Sequence, residues 1–111
     1  MKIDLYIARG DAIAEDALTV IAEGSAAAGL DDATIETIEV SSDDEARALR
    51  CLGSPTIRVE GLDIEYGERE PPETTSGDRY YSTPEGWNRV PTAGMVAFAI
   101  REAWARLGGG S

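Results

Sequence analysis

Apolar and polar positions change their period several times along the chain, and each change marks an element. Ile3, Leu5 and Ile7 alternate with Asp4 and Tyr6, which predicts a short strand over residues 2–8 with one buried face. Ile13, Ala14, Ala17, Leu18, Ile21 and Ala22 then recur at three- and four-residue steps, predicting an amphipathic helix from Asp11 to about Ala28. Gly29 is placed to end it in the left-handed conformation. A second strand is expected over residues 33–40. In it Ile35 is out of phase with Ile38 and Val40, which leaves burial on both faces or a bulge as readings. Ser42-Asp43-Asp44-Glu45 spells a capping box, so a second helix is expected through Ala46 and Leu49 to about Cys51.

Gly53-Ser54-Pro55-Thr56 interrupts the pattern before Ile57-Arg58-Val59, an alternating strand that Gly61 turns into a hairpin with residues 62–66. Residues 68–78 hold Pro71, Pro72 and Gly77 with almost no apolar side chain and read as an exposed loop. Residues 79–82 supply an extra short strand, and Pro84-Glu85-Gly86 turns again. Pro91 suits the first turn of a last helix, whose face is expected to be Met95, Phe98, Ala99, Ala103 and Leu107, flanked by Val96, Ile100 and Trp104. Residues 108–111, Gly-Gly-Gly-Ser, read as a flexible tail behind a single domain of residues 1–107. The order strand, helix, strand, helix, hairpin, helix predicts an α/β fold. Its core would be a parallel strand pair, joined by a right-handed crossover and extended by an antiparallel hairpin.

Composition narrows the chemistry. The chain has 111 residues, with ten Lys and Arg against 21 Asp and Glu, a net charge of −11 at pH 7. A nucleic-acid backbone is therefore not an expected partner. Hydrophobic residues at 42% and charged residues at 28% are those of a folding chain. One cysteine, Cys51, allows no internal disulfide, and the absence of histidine removes the commonest metal ligand and general base. No stretch approaches the roughly 20 apolar residues of a membrane span, and the start lacks a signal-peptide core, so a cytoplasmic protein is expected.

Three segments carry a family resemblance: the opening strand into Gly10; the run from Leu49 through Cys51, Ser54-Pro55-Thr56 and Val59 to Gly61; and Tyr80-Tyr81 followed by Gly86 and Val90-Pro91. Together with the element order they resemble the thioredoxin-like superfamily, in particular small bacterial and archaeal members, some of which accompany organomercurial lyases. The resemblance implies a central mixed four-stranded sheet flanked by three helices, with Pro55 in cis. It also implies a nucleophilic cysteine at the start of the first helix, where free amides and the helix dipole favour a thiolate. That position reads Gly10-Asp11 here. The family's resolving cysteine falls at Ala14, and a further one near Asp78, so the redox pair is missing.

The candidate chemistry follows from this loss. Asp11 is read either as a helix cap or as a carboxylate that binds a cationic group in the place of a thiolate. Cys51 is read either as a buried structural residue or as the thiol of a one-cysteine mechanism. A binding groove is expected at Asp11, Ser54, Pro55 and Thr56, with Tyr80, Tyr81 and Trp87 as its wall. Tyr66 belongs with these aromatics, which are read equally as a cover for the sheet edge. The acidic run Asp63, Glu65, Glu68, Glu70 and Glu73 matches no cation-binding loop and is expected to be a solvated face. Arg9-Gly10-Asp11 spells an adhesion tripeptide by chance, and no glycine-rich phosphate loop precedes a helix. No metal and no cofactor are expected.

Two functions remain. One is a redox-degenerate, non-catalytic binding or accessory protein that takes a protein or small-molecule partner beside the proline turn. The other is a monothiol thiol-disulfide oxidoreductase, or thiol-dependent detoxification accessory, acting through Cys51. A homodimer built through an edge strand or the aromatic loop is compatible with both.

Overall fold

Residues 1–108 are described by the computed structural model, which gives a mixed α/β protein with three helices and a mixed four-stranded sheet. The sheet has the order β2-β1-β4-β5. Strand β1 (Lys2–Ala8) runs parallel to β2 (Thr34–Val40) and antiparallel to β4 (Thr56–Val59), which turns back into β5 (Leu62–Asp63). Glu60 and Gly61 both take positive φ, +50° and +84°, the pair that a two-residue hairpin turn needs. The Glu60 N–H donates to the Lys2 carbonyl at 2.8 Å, which fixes this turn against the first strand.

Alternation along β1 decides the layers. Ile3, Leu5 and Ile7 join Ile57 and Val59 under α1 (Ile13–Ala28) and α3 (Ala93–Leu107), where Ile21, Val96, Ile100 and Ala103 complete the main core. The two helices approach closely at Gly24, where an added Cβ would lie 2.5 Å from Val96 Cβ. On the opposite face α2 (Asp43–Leu49) packs Ala46 against Val40, Cys51 and Tyr6.

The helix boundaries follow local chemistry. Ala12 is the N-cap of α1, and Asp11 accepts the Ile13 N–H at 3.1 Å from one residue further out. Gly29 ends the helix with φ +79°. Ser42 caps α2 by accepting the Glu45 N–H, while the Glu45 side chain accepts from Ser41 rather than closing the reciprocal box. Helix α2 stops at Leu49 with Arg50 left-handed, so Cys51 lies beyond the helix instead of ending it. Pro91 precedes α3, whose N-cap is Thr92.

Three expectations need correction. Ile35 is neither doubly buried nor on a bulge: β2 is an edge strand in unbroken register with β1, and Ile35 is 39% exposed. The face of α3 is rotated, so Val96, Ala97 and Ile100 are buried while Phe98 and Leu107 are about 60% exposed. Residues 68–78 are not simply a loop. Strand β6 (Thr75–Asp78) pairs in parallel with β3 (Leu52–Ser54), which occupies what reads in sequence as a mere interruption. Residues Tyr81–Thr83 and Gly86–Asn88 form a separate hairpin, β7 and β8, around Pro84-Glu85. Of the expected tail, Gly108 caps α3 with φ +74°, and residues 109–111 lie outside the described residues. No helix among the described residues is long and apolar enough to cross a membrane.

Candidate functional site

The corner between β1 and α1 collects four side chains from distant parts of the chain. Gly10, at φ +77°, turns the backbone so that the Asp11 N–H donates to the Ala8 carbonyl at 3.0 Å. The Asp11 carboxylate then accepts from three donors: the Ile13 N–H on Oδ1, and on Oδ2 the Ser54 hydroxyl at 2.8 Å and Arg89 Nη2 at 2.6 Å. Burial pulls its pKa upward, but the hydrogen bonds from Ser54, the Ile13 amide and Arg89, with the Arg89 charge, outweigh it and hold the carboxyl below its ordinary value. Asp11 is an anion that the fold itself neutralises.

Ser54 is the hub. Its hydroxyl accepts the Ala8 N–H at 2.9 Å while donating to Asp11, and its carbonyl accepts from the Arg79 N–H at 2.8 Å and Arg89 Nη2 at 3.0 Å. The following Ser54–Pro55 peptide is cis. Arg89 also lies 3.4 Å from Asp78, and its Nε is buried without a hydrogen-bond partner among the described residues. The backbone edge at residues 51–54 is already taken: Thr75 N–H donates to the Cys51 carbonyl at 3.0 Å and Arg79 N–H to Ser54. Gly53, at φ +118°, admits this segment, since a Cβ there would meet Arg79 Cβ at 2.8 Å.

The remaining candidates separate into interior and surface. Pro55, Thr56 and Tyr81 do not line a groove, because all three are fully buried. Thr56 Oγ1 donates to the Gly53 carbonyl at 2.6 Å and accepts the Leu52 N–H, bracing the turn. Tyr81 donates to the Pro55 carbonyl at 2.6 Å, with the Arg79 guanidinium 4.1 Å from its ring centre. Burial drives the Tyr81 pKa far upward against the pull of Arg79, so the hydroxyl stays a donor. Tyr80 and Trp87 are surface residues, 52% and 71% exposed. Cys51 is fully buried, its thiol donating to the Gly53 carbonyl at 3.4 Å beside the Thr56 hydroxyl.

The acidic run is a solvated face only at Glu68 and Glu73, while Asp63, Glu65 and Glu70 turn inward to arginines. Asp63 holds Arg79 through two parallel bonds of 2.6 and 2.8 Å, both side chains almost wholly buried, and Glu70 holds Arg58 through two bonds of 3.0 Å. Arg58 lies over the Tyr6 ring and also donates to the Arg50 carbonyl. Sequence reasoning missed Arg89, Arg79 and Arg58 as partners. The available signal was the choice of arginine at nine of ten cationic positions, since its planar fork suits buried carboxylates.

Among the described residues no three His, Cys, Asp or Glu side chains converge to hold a metal ion. Two clefts lie elsewhere: one of about 200 Å³ between the β5 turn and α3 around Tyr66 and Phe98, the other of about 500 Å³ on the α2 face around Tyr6 and Arg58. Comparisons with protein-family models, with curated proteins and with solved structures find no match to this chain.

Proposed function

We infer that this chain is a thioredoxin-like protein that has lost redox catalysis and acts as a binding or accessory protein, presenting the surface around the Asp11 corner to a partner. The observation that carries the reading is the state of that corner. The residue just before the N-cap of the first helix is a carboxylate held ionised by Ser54, Ile13 and Arg89, and a carboxylate cannot attack a disulfide and be regenerated by exchange. The order of the elements, the four-stranded mixed sheet and the Ser54–Pro55 turn facing Asp11 support the thioredoxin-like part.

Strand β6 occupies the backbone edge beside Pro55, so the contact surface is the rim: Asp11, Asp78 and Arg89, with Tyr80 and Trp87 exposed on neighbouring segments. Exposed tyrosine and tryptophan are efficient contact anchors. The monothiol alternative requires Cys51 to leave a fully buried position, which weighs against it.

The test has two arms. The native protein should give no acceleration of insulin disulfide reduction by dithiothreitol, whereas Asp11→Cys should acquire a thiol with an apparent pKa well below the roughly 8.5 of a free cysteine. Catalysis by the native chain would overturn the loss of redox function. An Asp11→Cys thiol that titrates at or above the free value would overturn the likeness of the corner.

A further inference from the structure

The net charge is not spread over the molecule. Eleven of the 21 acidic residues, and none of the ten cations, fall between Gly10 and Ala46, so the rest of the chain carries ten of each and is neutral. Ten of those eleven are exposed, Asp11 being the exception. Among the described residues only Asp11, Glu36 and Asp44 of the eleven have a cation within 4 Å. Elsewhere Asp63, Glu65, Glu70 and Asp78 are each matched by an arginine.

This unneutralised stretch surrounds a free sheet edge. Strand β2 is seven residues long, contains no proline or bulge, and has no neighbour beyond it among the described residues. In a parallel ladder alternate residues turn both backbone groups to the same side. Thr34 N–H donates to the Met1 carbonyl and the Val40 carbonyl accepts from Arg9, so Ile35, Thr37 and Glu39 direct their N–H and C=O groups outward. All three are exposed. Glu36 and Glu39 stand on opposite faces of this strand, three positions apart, with Asp31 and Asp32 before it and Asp43, Asp44 and Glu45 after it.

We propose that the outer edge of β2 is a strand-addition site for an extended, basic segment of a partner protein, with cationic residues three positions apart facing Glu36 and Glu39. Backbone hydrogen bonds to Ile35, Thr37 and Glu39 supply the docking, and the acidic surround selects the charge of the partner. Charge complementarity picks this occupant over a second copy of the chain, because pairing two β2 edges would bring together two surfaces of the same sign. The proposal does not depend on the Asp11 corner.

The probe is a seven-residue peptide of valine and threonine with two lysines three positions apart, and the readout is amide hydrogen exchange and ¹H–¹⁵N shifts of the full chain. Bound peptide should slow exchange at Ile35, Thr37 and Glu39 by about tenfold or more, since free edge amides are otherwise open to solvent. A peptide with glutamates in place of the lysines should give no protection. Thr37→Pro, which removes an outward donor that the β1 ladder does not use, should abolish protection. If that variant does not fold, the double variant Glu36→Lys, Glu39→Lys serves instead and should reverse the preference toward the acidic peptide. Absence of protection, equal protection by both peptides, or protection that rises with protein concentration alone, as in self-pairing, would each overturn the proposal.

Discussion

Asp11 and Asp63 are both gripped by an arginine at 2.6 Å, yet the two pairs do different work. The Asp63–Arg79 pair is sealed: the side chains are 0% and 4% exposed, Arg79 lies over the rings of Tyr66 and Tyr81, and both carboxylate oxygens and both guanidinium ends are used. The Asp11–Arg89 pair is open, at 15% and 24%, and makes a single contact that leaves Arg89 Nε unused. A sealed pair fixes position, because either partner alone would be an uncompensated buried charge. An open pair can exchange partners. The segment that carries Arg79 is tied to the proline turn by Arg79 N–H to Ser54 and Tyr81 to Pro55, while the open pair meets the turn through the Ser54 hydroxyl and carbonyl.

Breaking the sealed pair should have the largest effect. Arg79→Ala leaves Asp63 buried without its cation and is expected to cost about 3–5 kcal/mol, read from urea denaturation; a loss under about 1 kcal/mol would mean that the pair is not the staple described. Tyr81→Phe should come next. It strands the Pro55 carbonyl in the interior and should cost about 1–3 kcal/mol by the same measurement. Arg89→Ala should be milder, about 1 kcal/mol or less, because Asp11 retains Ser54 and the Ile13 amide and the pair is partly exposed. Equal losses for Arg79→Ala and Arg89→Ala would erase the distinction between the two pairs.

The smallest effect is one of pH. The folded state holds the Asp11 carboxyl below its ordinary value of 3.8, so its ionised form contributes stability above that value, and the contribution is lost as pH falls through the lower, folded pKa. The stability gap between native protein and Asp11→Asn should therefore be constant near neutrality and close only below about pH 4. A gap that widens on acidification would reverse the sign assigned to Asp11.

What could be read from the sequence is what a few neighbouring residues encode. The alternation in β1, the three- and four-residue steps of α1, Gly29 as its stop and the Ser42 cap are local, and each appears as an element in the expected order. The parallel pairing of β3 with β6 could not be read. Thr75-Ser76-Gly77-Asp78 has no apolar alternation, and its place is set by distant contacts such as Asp43 with the Ser76 amide and hydroxyl. The site was legible by half for the same reason. Asp11 was found through its place at the start of the first helix and Ser54 through the family resemblance at the proline turn, whereas Arg89 lies 78 positions from Asp11 and carries no local mark. The rotated face of α3 has a different cause. Both arcs of that helix are apolar, so periodicity alone does not choose between Phe98 and Val96.

The central claim, a binding protein with a redox-silent corner, is tested most directly by the only thiol. Intact-mass measurement of Cys51 alkylation by iodoacetamide, on native protein beside a urea-unfolded control, reads whether that thiol is ever offered to a reagent. Labelling confined to the unfolded control is the predicted result, in keeping with a side chain that is 0% exposed and bonded to the Gly53 carbonyl. Labelling of the native protein at a rate matching or exceeding the control would contradict the account and return Cys51 to the chemistry.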